Sequence, residues 1–343
     1  MKQGFIIIVL IGLFFNILGQ NPALDKNWDT VFQDDCSTFK SELWHKTYGA
    51  HDAGKSSEGT TFSTYDNAYI ENGKLVLRVQ NQISPQCIPQ NGVCKYGGYH
   101  AYTSGAIISN IRYGYGYFEI YAQLPASSGY FPAFWLWFGE KNLITNNCWN
   151  NEIDIFEAMG SRPNTVESNA WYGFTCEKYG TELGAIPHPC NYSTGYHWYG
   201  VEWDSKKITW YIDRQAVRQK TNNMDGIGIQ NPMQIIINNE LAGDWMTDNP
   251  INSTTIFPNY MYVEQANVYK LKYECNAIVN EILNYNTFNY AVKKSISLSS
   301  QSSLYSGENV SLRATDFIEL NAGFEVPIGA ELYLDINPCE NNE

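Results

Sequence analysis

Glu152, Asp154 and Glu157 fall in the run Glu152-Ile153-Asp154-Ile155-Phe156-Glu157, three carboxylates set into an otherwise apolar, strand-like stretch. Like charges held together in a partly desolvated groove push their pKa values apart, so that one acid stays neutral while another stays ionised. A proton donor beside a carboxylate nucleophile is the chemistry that glycoside cleavage requires.

Spacing makes this a statement about backbone shape. Side chains on a strand alternate faces, so Glu152 and Asp154 share one face while Ile153 and Ile155 fill the other. Glu157 has the wrong parity. It joins the other acids only if one extra residue, Ile155 or Phe156, is absorbed in a β-bulge. The pattern therefore predicts a bulge, with Asp154 between the outer two acids and placed to hold or share a proton with Glu152. An acidic pair two residues apart is more often a solvated strand face. Here the bulk of Ile153, Ile155 and Phe156, with Trp149 before and Ala158-Met159-Gly160 after, favours the floor of a cleft.

The elements that must position these acids are strands. Period-two runs recur at Lys74–Val79, Tyr117–Leu124 and Met233–Asn239, separated by turn chemistry such as Glu71-Asn72-Gly73 and Asp225-Gly226. Helical periodicity is lacking after the first twenty residues, so the expected architecture is a two-sheet antiparallel sandwich. After Tyr273-Glu274-Cys275 tryptophan ceases, and Ser, Asn and short β-branched runs dominate. Short strands are expected at 294–298, 310–313, 317–320 and 331–334, forming a small β-rich accessory module over 275–343. Little exposed aromatic content is expected there beyond Phe317, Phe324 and Tyr333, which favours a spacer or attachment role over sugar binding.

Residues 1–20 read as an export signal, with Met1-Lys2 as the basic start and an apolar run from Phe5 to Leu18. The run is short for a membrane span, so a chain soluble after signal removal and located outside the cytoplasm, secreted, periplasmic or at the cell surface, is expected. The eight cysteines are then disulfide candidates: proximity favours Cys87–Cys94 and Cys176–Cys190, while Cys275 and Cys339 bracket the last segment as a candidate staple. The five histidines, at 45, 51, 100, 188 and 197, are scattered and no C-x-x-C occurs, so zinc is not expected and His197 reads as a structural residue. A net charge of −13 argues against nucleic acid and anionic membranes as partners. With 10 Trp and 25 Tyr, the chain holds more rings than a core needs, and an aromatic-lined cleft suits the C–H faces of a polysaccharide.

The motif E-I-D-I-F-E resembles the bulged E-x-D-x-x-E active-site pattern of glycoside hydrolase family 16, the laminarinase, agarase and carrageenase group. Further segments match in the family's order: Ser104–Ser109, Tyr113–Glu119, Phe131-Pro132-Ala133-Phe134-Trp135-Leu136, His197–Trp203, Trp210–Asp213 and Tyr262–Tyr269. The resemblance spans roughly residues 30 to 272 and implies a concanavalin-like jelly roll over 24–273. It also implies Glu152 as nucleophile, Glu157 as general acid/base and Asp154 as electrostatic helper in a retaining, endo-acting enzyme. Trp135 matches the family's tryptophan in P-A-F-W, with Trp137 next on the same face. Phe131 stands where many members carry tryptophan, and Trp171 near where laminarinases often carry histidine, which makes Phe131, Trp135 and Trp171 the expected substrate-binding residues. Glu119-x-Tyr121-x-Gln123 replaces a commoner E-x-R-x-K, a loss of two cations that weighs against sulfated galactans. A laminarin-type β-1,3-glucan is the expected substrate, with a galactan of the agarase, carrageenase or porphyranase type second. A non-catalytic lectin or adhesin is the reading from another class, opposed by the intact acids. No cofactor is required on this reading and a monomer is expected; the family's structural calcium would fall at Glu264 with a carbonyl from Gly73.

Overall fold

A computed structural model of the chain describes residues 21–46, 61–83, 101–141, 148–173, 179–222, 229, 231–243, 246–283, 285 and 288–339. The expected signal at 1–20, the Cys87–Cys94 pair and the Asp225-Gly226 turn lie outside these residues.

Period-two patterning produces two eight-stranded sheets. The first runs β14 (Gln215–Thr221), β13 (Lys207–Ile212), β12 (His197–Trp203), β7 (Gly116–Gln123), β16 (Asn259–Leu271), β5 (Lys74–Val79) and β4 (Ala68–Glu71), with β1 (Trp28–Asp34) also on β16. The second runs β11 (Tyr179–Pro187), β10 (Thr165–Gly173), β9 (Cys148–Glu157), β8 (Tyr130–Lys141), β15 (Gln234–Leu241), β6 (Thr103–Ser109) and β2 (Trp44–Lys46). Every pairing in both is antiparallel except that of the two-residue β3 (Phe62–Ser63) with β6. This is the all-β sandwich read from the sequence. One apolar core fills the space between, with Phe118, Ile120, Tyr199, Val201 and Trp210 from the first sheet against Phe134, Leu136, Ile153, Phe156 and Ile237 from the second.

Two hairpins show how turns set the register. Asn72 and Gly73, both at positive φ, link Glu71 to its partner Lys74 in the two-residue turn the sequence announces. The β13–β14 hairpin does the same with Asp213 (φ 49°) and Arg214 (φ 60°), residues that visit this region at a cost. Contacts offset the strain. Asp213 Oδ1 accepts from the backbone N–H of Trp198, and the Arg214 guanidinium forks onto Glu119 at 2.8 and 3.1 Å.

A third sheet, of parallel strands, follows: β17 (Tyr273–Val279), β18 (Val292–Leu298), β19 (Asn309–Leu320) and β20 (Glu331–Ile336). It begins two residues ahead of Cys275 and has a core of its own around Ile296, Leu298, Val310 and Leu312. The two short strands expected at 310–313 and 317–320 form one continuous strand, because both halves of β19 find partners on β18 or β20. Cys275 and Cys339, which bracket the last segment, are disulfide-bonded as expected. Cys190 carries a free thiol whose sulfur lies against His197, and Cys176, the partner expected for it, lies outside the described residues. Among the described residues no helix is long and apolar enough to cross a membrane.

Candidate active site

The bulge is present. Along β8, Ala133 pairs with Glu157 and Phe134 with Phe156, but the next residue, Trp135, pairs with Asp154, so Ile155 is the extra residue. β10 makes the same adjustment, pairing Glu167 with Glu157 and Asn169 with Asp154. Both Ile155 and Phe156 consequently enter the core. A bulge interrupts the ladder and frees backbone groups that must find partners elsewhere. The Asp154 carbonyl accepts from the indole N–H of Trp210, 2.9 Å away on the opposite sheet.

Cross-strand partners share a face, so the register places the site in rows. Trp171, Glu152 and Trp137 form one row, Asn169, Asp154 and Trp135 the next, and Glu167, Glu157 and Ala133 the third. All three acids thus face one way from the second sheet, flanked by indoles on both neighbouring strands. Asp154 is 2 % exposed, whereas Glu152 and Glu157 are only half-buried, open to a ligand. Trp171 Nε1 donates to Asp154 Oδ2 at 3.1 Å and Asn169 Nδ2 to Glu157 Oε2 at 2.7 Å. These bonds fix the orientation of two acids before any ligand arrives.

Of the expected sugar-binding rings, Trp135 and Trp171 are half-buried in the acid rows. Trp135 Nε1 is anchored on Asn238 Oδ1 at 2.7 Å, and Asn238 Nδ2 in turn donates to the buried Glu240. Phe131 lies beyond the third row, opposite Glu240, and is 3 % exposed in a cluster with Met159, Ala242 and Met246. It shores up the floor more than it offers a ring. Asn169, Asn238 and Glu240 were not picked out from sequence. Their signal is a polar side chain at the cleft-facing parity of a strand, legible only once β10 and β15 are in register beside the acids.

One expectation is corrected. Phe118, Ile120 and Ala122 of β7 point into the core, so Glu119, Tyr121 and Gln123 face outward from the sheet opposite the acids. Tyr121 stacks on Trp198 there at 4.9 Å, and the missing cations say nothing about the cleft. At the expected calcium position, Lys74 Nζ sits 2.7 Å from Glu264 Oε1, and this bond holds the lysine above its usual pKa and charged. Glu264 therefore has a cationic side-chain partner in this structure.

A β-sandwich bearing a bulged strand of carboxylates between rows of indoles defines a carbohydrate-cleaving scaffold. Residues 55–256 match the family described as Glycosyl hydrolases family 16, and the chain belongs to it. It is therefore a glycoside hydrolase of the retaining, double-displacement kind. A beta-glucanase of Rhodothermus marinus is 25% identical over 287 residues, covering 78% of this chain and 94% of that protein. An endo-1,3-1,4-beta-glycanase of Rhizobium meliloti is 33% identical over 144 residues, or 41% of this chain, which spans only 28% of that longer protein. Among solved structures, the catalytic domain of an endo-1,3-beta-glucanase (laminarinase) from Thermotoga petrophila aligns with a TM-score of 0.57 at 26% identity, covering 71% of this chain and 98% of that one.

Proposed function

We propose that the chain is a secreted, monomeric, endo-acting β-glucanase that cuts internal bonds of a laminarin-type β-1,3-glucan, with Glu152 as nucleophile, Glu157 as general acid/base and Asp154 between them. The observation that carries this reading is the bulge, which turns Glu157 onto the face of Glu152 and Asp154. On β8 the partners of Glu152 and Glu157 are four residues apart, a backbone span of about 13 Å at the rise of a strand. The side chains must lean toward each other over Asp154 to reach the separation of about 5–5.5 Å that retention requires.

In the first step Glu152 attacks the anomeric carbon while Glu157, oriented by Asn169, protonates the departing oxygen. Water, deprotonated by Glu157, then releases the glycosyl group from Glu152. Asp154, tied down by Trp171, shares the proton or negative charge that Glu152 must shed or gain. Trp135, Trp137 and Trp171 supply hydrophobic faces for successive sugar rings, which favours a neutral glucan. The similarity to a beta-glucanase and to a laminarinase supports the same substrate. The 273–339 unit fits a spacer or attachment role.

The test is a reducing-end assay on laminarin, lichenan, agarose and carrageenan with Glu152→Ala as control, and NMR of the first-formed anomers. Laminarin cleavage with retention is expected. Turnover of a galactan alone would overturn the substrate, and inverted product would overturn the roles of the two glutamates.

A further inference from the structure

The crossover from β11 to β12, leading from the edge of the acid-bearing sheet to the opposite sheet, gathers three side chains that glycoside cleavage does not use. His188, Cys190 and His197 bring one imidazole nitrogen, the thiol sulfur and a second imidazole nitrogen within 4.8 Å of one another, and no other such group containing both His and Cys occurs among the described residues. Cys190 Sγ is 3.2 Å from His197 Nε2 and 4.0 Å from His188 Nδ1. Across a tetrahedral ion with Zn–S of about 2.3 Å and Zn–N of about 2.0–2.1 Å, a sulfur and a nitrogen stand about 3.6 Å apart. The two separations bracket that value.

The nitrogens that face away from this triangle are also held. His197 Nδ1 lies 2.9 Å from Asp213 Oδ2, an arrangement in which the carboxylate accepts the N–H and leaves the Nε2 lone pair turned to the sulfur. His188 Nε2 lies 3.2 Å from the Tyr199 hydroxyl. Metal-binding histidines are characteristically oriented by such partners on the second ring nitrogen. Asp213 is kept at its positive φ with Oδ1 on the Trp198 N–H, so the strained turn aims its other oxygen at His197. Two contacts compete, one in each tautomer: His188 Nδ1 is 2.8 Å from the Cys190 carbonyl and 3.3 Å from the Cys190 backbone N–H, and a metal would take that nitrogen in their place.

We propose that His188, Cys190 and His197 form a binding site for a borderline-soft divalent transition metal of the zinc class, with a fourth position for water. Thiolate and imidazole donors select such ions over calcium or magnesium, and binding releases the thiol proton. The site is a brace. His188 N–H donates to the Asn164 carbonyl, Tyr192 N–H to that of Pro163, and the Tyr192 hydroxyl to that of Met159 at 2.8 Å. Those carbonyls belong to the turn that leaves Glu157, so the metal would fasten the support of the general acid to the outer sheet.

The test uses the full-length protein, purified under reducing conditions, stripped with chelator and titrated anaerobically with Co²⁺. A near-ultraviolet thiolate-to-cobalt charge-transfer band with tetrahedral visible bands should saturate at one equivalent and vanish when Zn²⁺ displaces the cobalt. Cys190→Ser should abolish the charge-transfer band while its circular dichroism stays that of the parent. Asp213→Asn should weaken binding about 10–100-fold. Zn²⁺ should raise the melting temperature of the parent but not of Cys190→Ser. An unchanged band in Cys190→Ser, no band in the parent, or mass-spectrometric evidence of Cys190 in a native disulfide would overturn the site.

Discussion

The indole N–H of Trp171 donates to Asp154 Oδ2 at 3.1 Å, across the same strand pair in which Trp171 stands directly opposite Glu152. One side chain thus borders Glu152, the proposed nucleophile, and anchors the acid beside it. Hydrogen bonds to charged groups contribute about 1.5–3 kcal/mol. Trp171→Phe keeps most of the ring face and removes the donor. It should lower kcat on laminarin roughly 10- to 100-fold while KM changes by less than about threefold. Steady-state kinetics would contradict the pairing if KM alone responded.

Glu157 is half-buried and held through Oε2 by Asn169, with Glu167 opposite it in the ladder. In its proposed role as proton donor it matters most when the leaving group is poor. Glu157→Gln should slow polymer cleavage by roughly 10²–10⁴-fold, the usual worth of general acid–base catalysis. The same variant should lose far less in the glycosylation of Glu152 by an aryl glucoside whose phenol leaves unaided, read as the burst of phenol. Equal losses on both substrates would assign Glu157 another role.

The bulge was legible because parity is local: three acids in six residues leave few ways to share a face, and the core accepts both Ile155 and Phe156. The sandwich was legible from alternating runs for the same reason. Nonlocal relations were not. Which sheet β7 joins decides whether Tyr121 and Gln123 can touch a ligand, and nothing in the run Tyr117–Gln123 states it. Asn169 and Asn238 acquire roles only from the register of β10 and β15. His188, Cys190 and His197 looked scattered because the crossover that gathers them has no periodicity to read. In the last unit, Phe317–Leu320 looked detached from Val310–Arg313, yet β18 and β20 carry one strand through both.

The outward direction of Tyr121 and Gln123 has a direct test. Tyr121 stacks on Trp198, and Gln123 Nε2 donates to the Ser193 carbonyl at 2.6 Å, all away from the acids. Tyr121→Arg combined with Gln123→Lys restores the family's commoner cations. Because they sit on the opposite sheet, kcat/KM on laminarin should stay within about twofold, as surface changes cost little. No activity on carrageenan should appear. New cleavage of a sulfated galactan by this variant would mean that the outer face shapes specificity after all.

Glu119 offers the clearest stability experiment. Its side chain is 1 % exposed, yet it accepts two bonds from Arg214 and further ones from Asn267 Nδ2 and the hydroxyls of Tyr117 and Tyr269. The guanidinium also lies over the Trp198 ring, 3.8 Å from its centroid. Removing one partner of a buried ion pair costs about 3–5 kcal/mol, because a desolvated charge is left behind. The three neutral donors remain, so Arg214→Ala should fall near the lower end, about 3 kcal/mol by urea denaturation. Replacing Glu119 as well, with Gln, should recover part of that loss, since the uncompensated charge goes with it. Specific activity per folded molecule should be unchanged in both variants, because the pair faces away from Glu152 and Glu157. A double variant less stable than Arg214→Ala would show instead that Glu119 is held chiefly by its neutral donors.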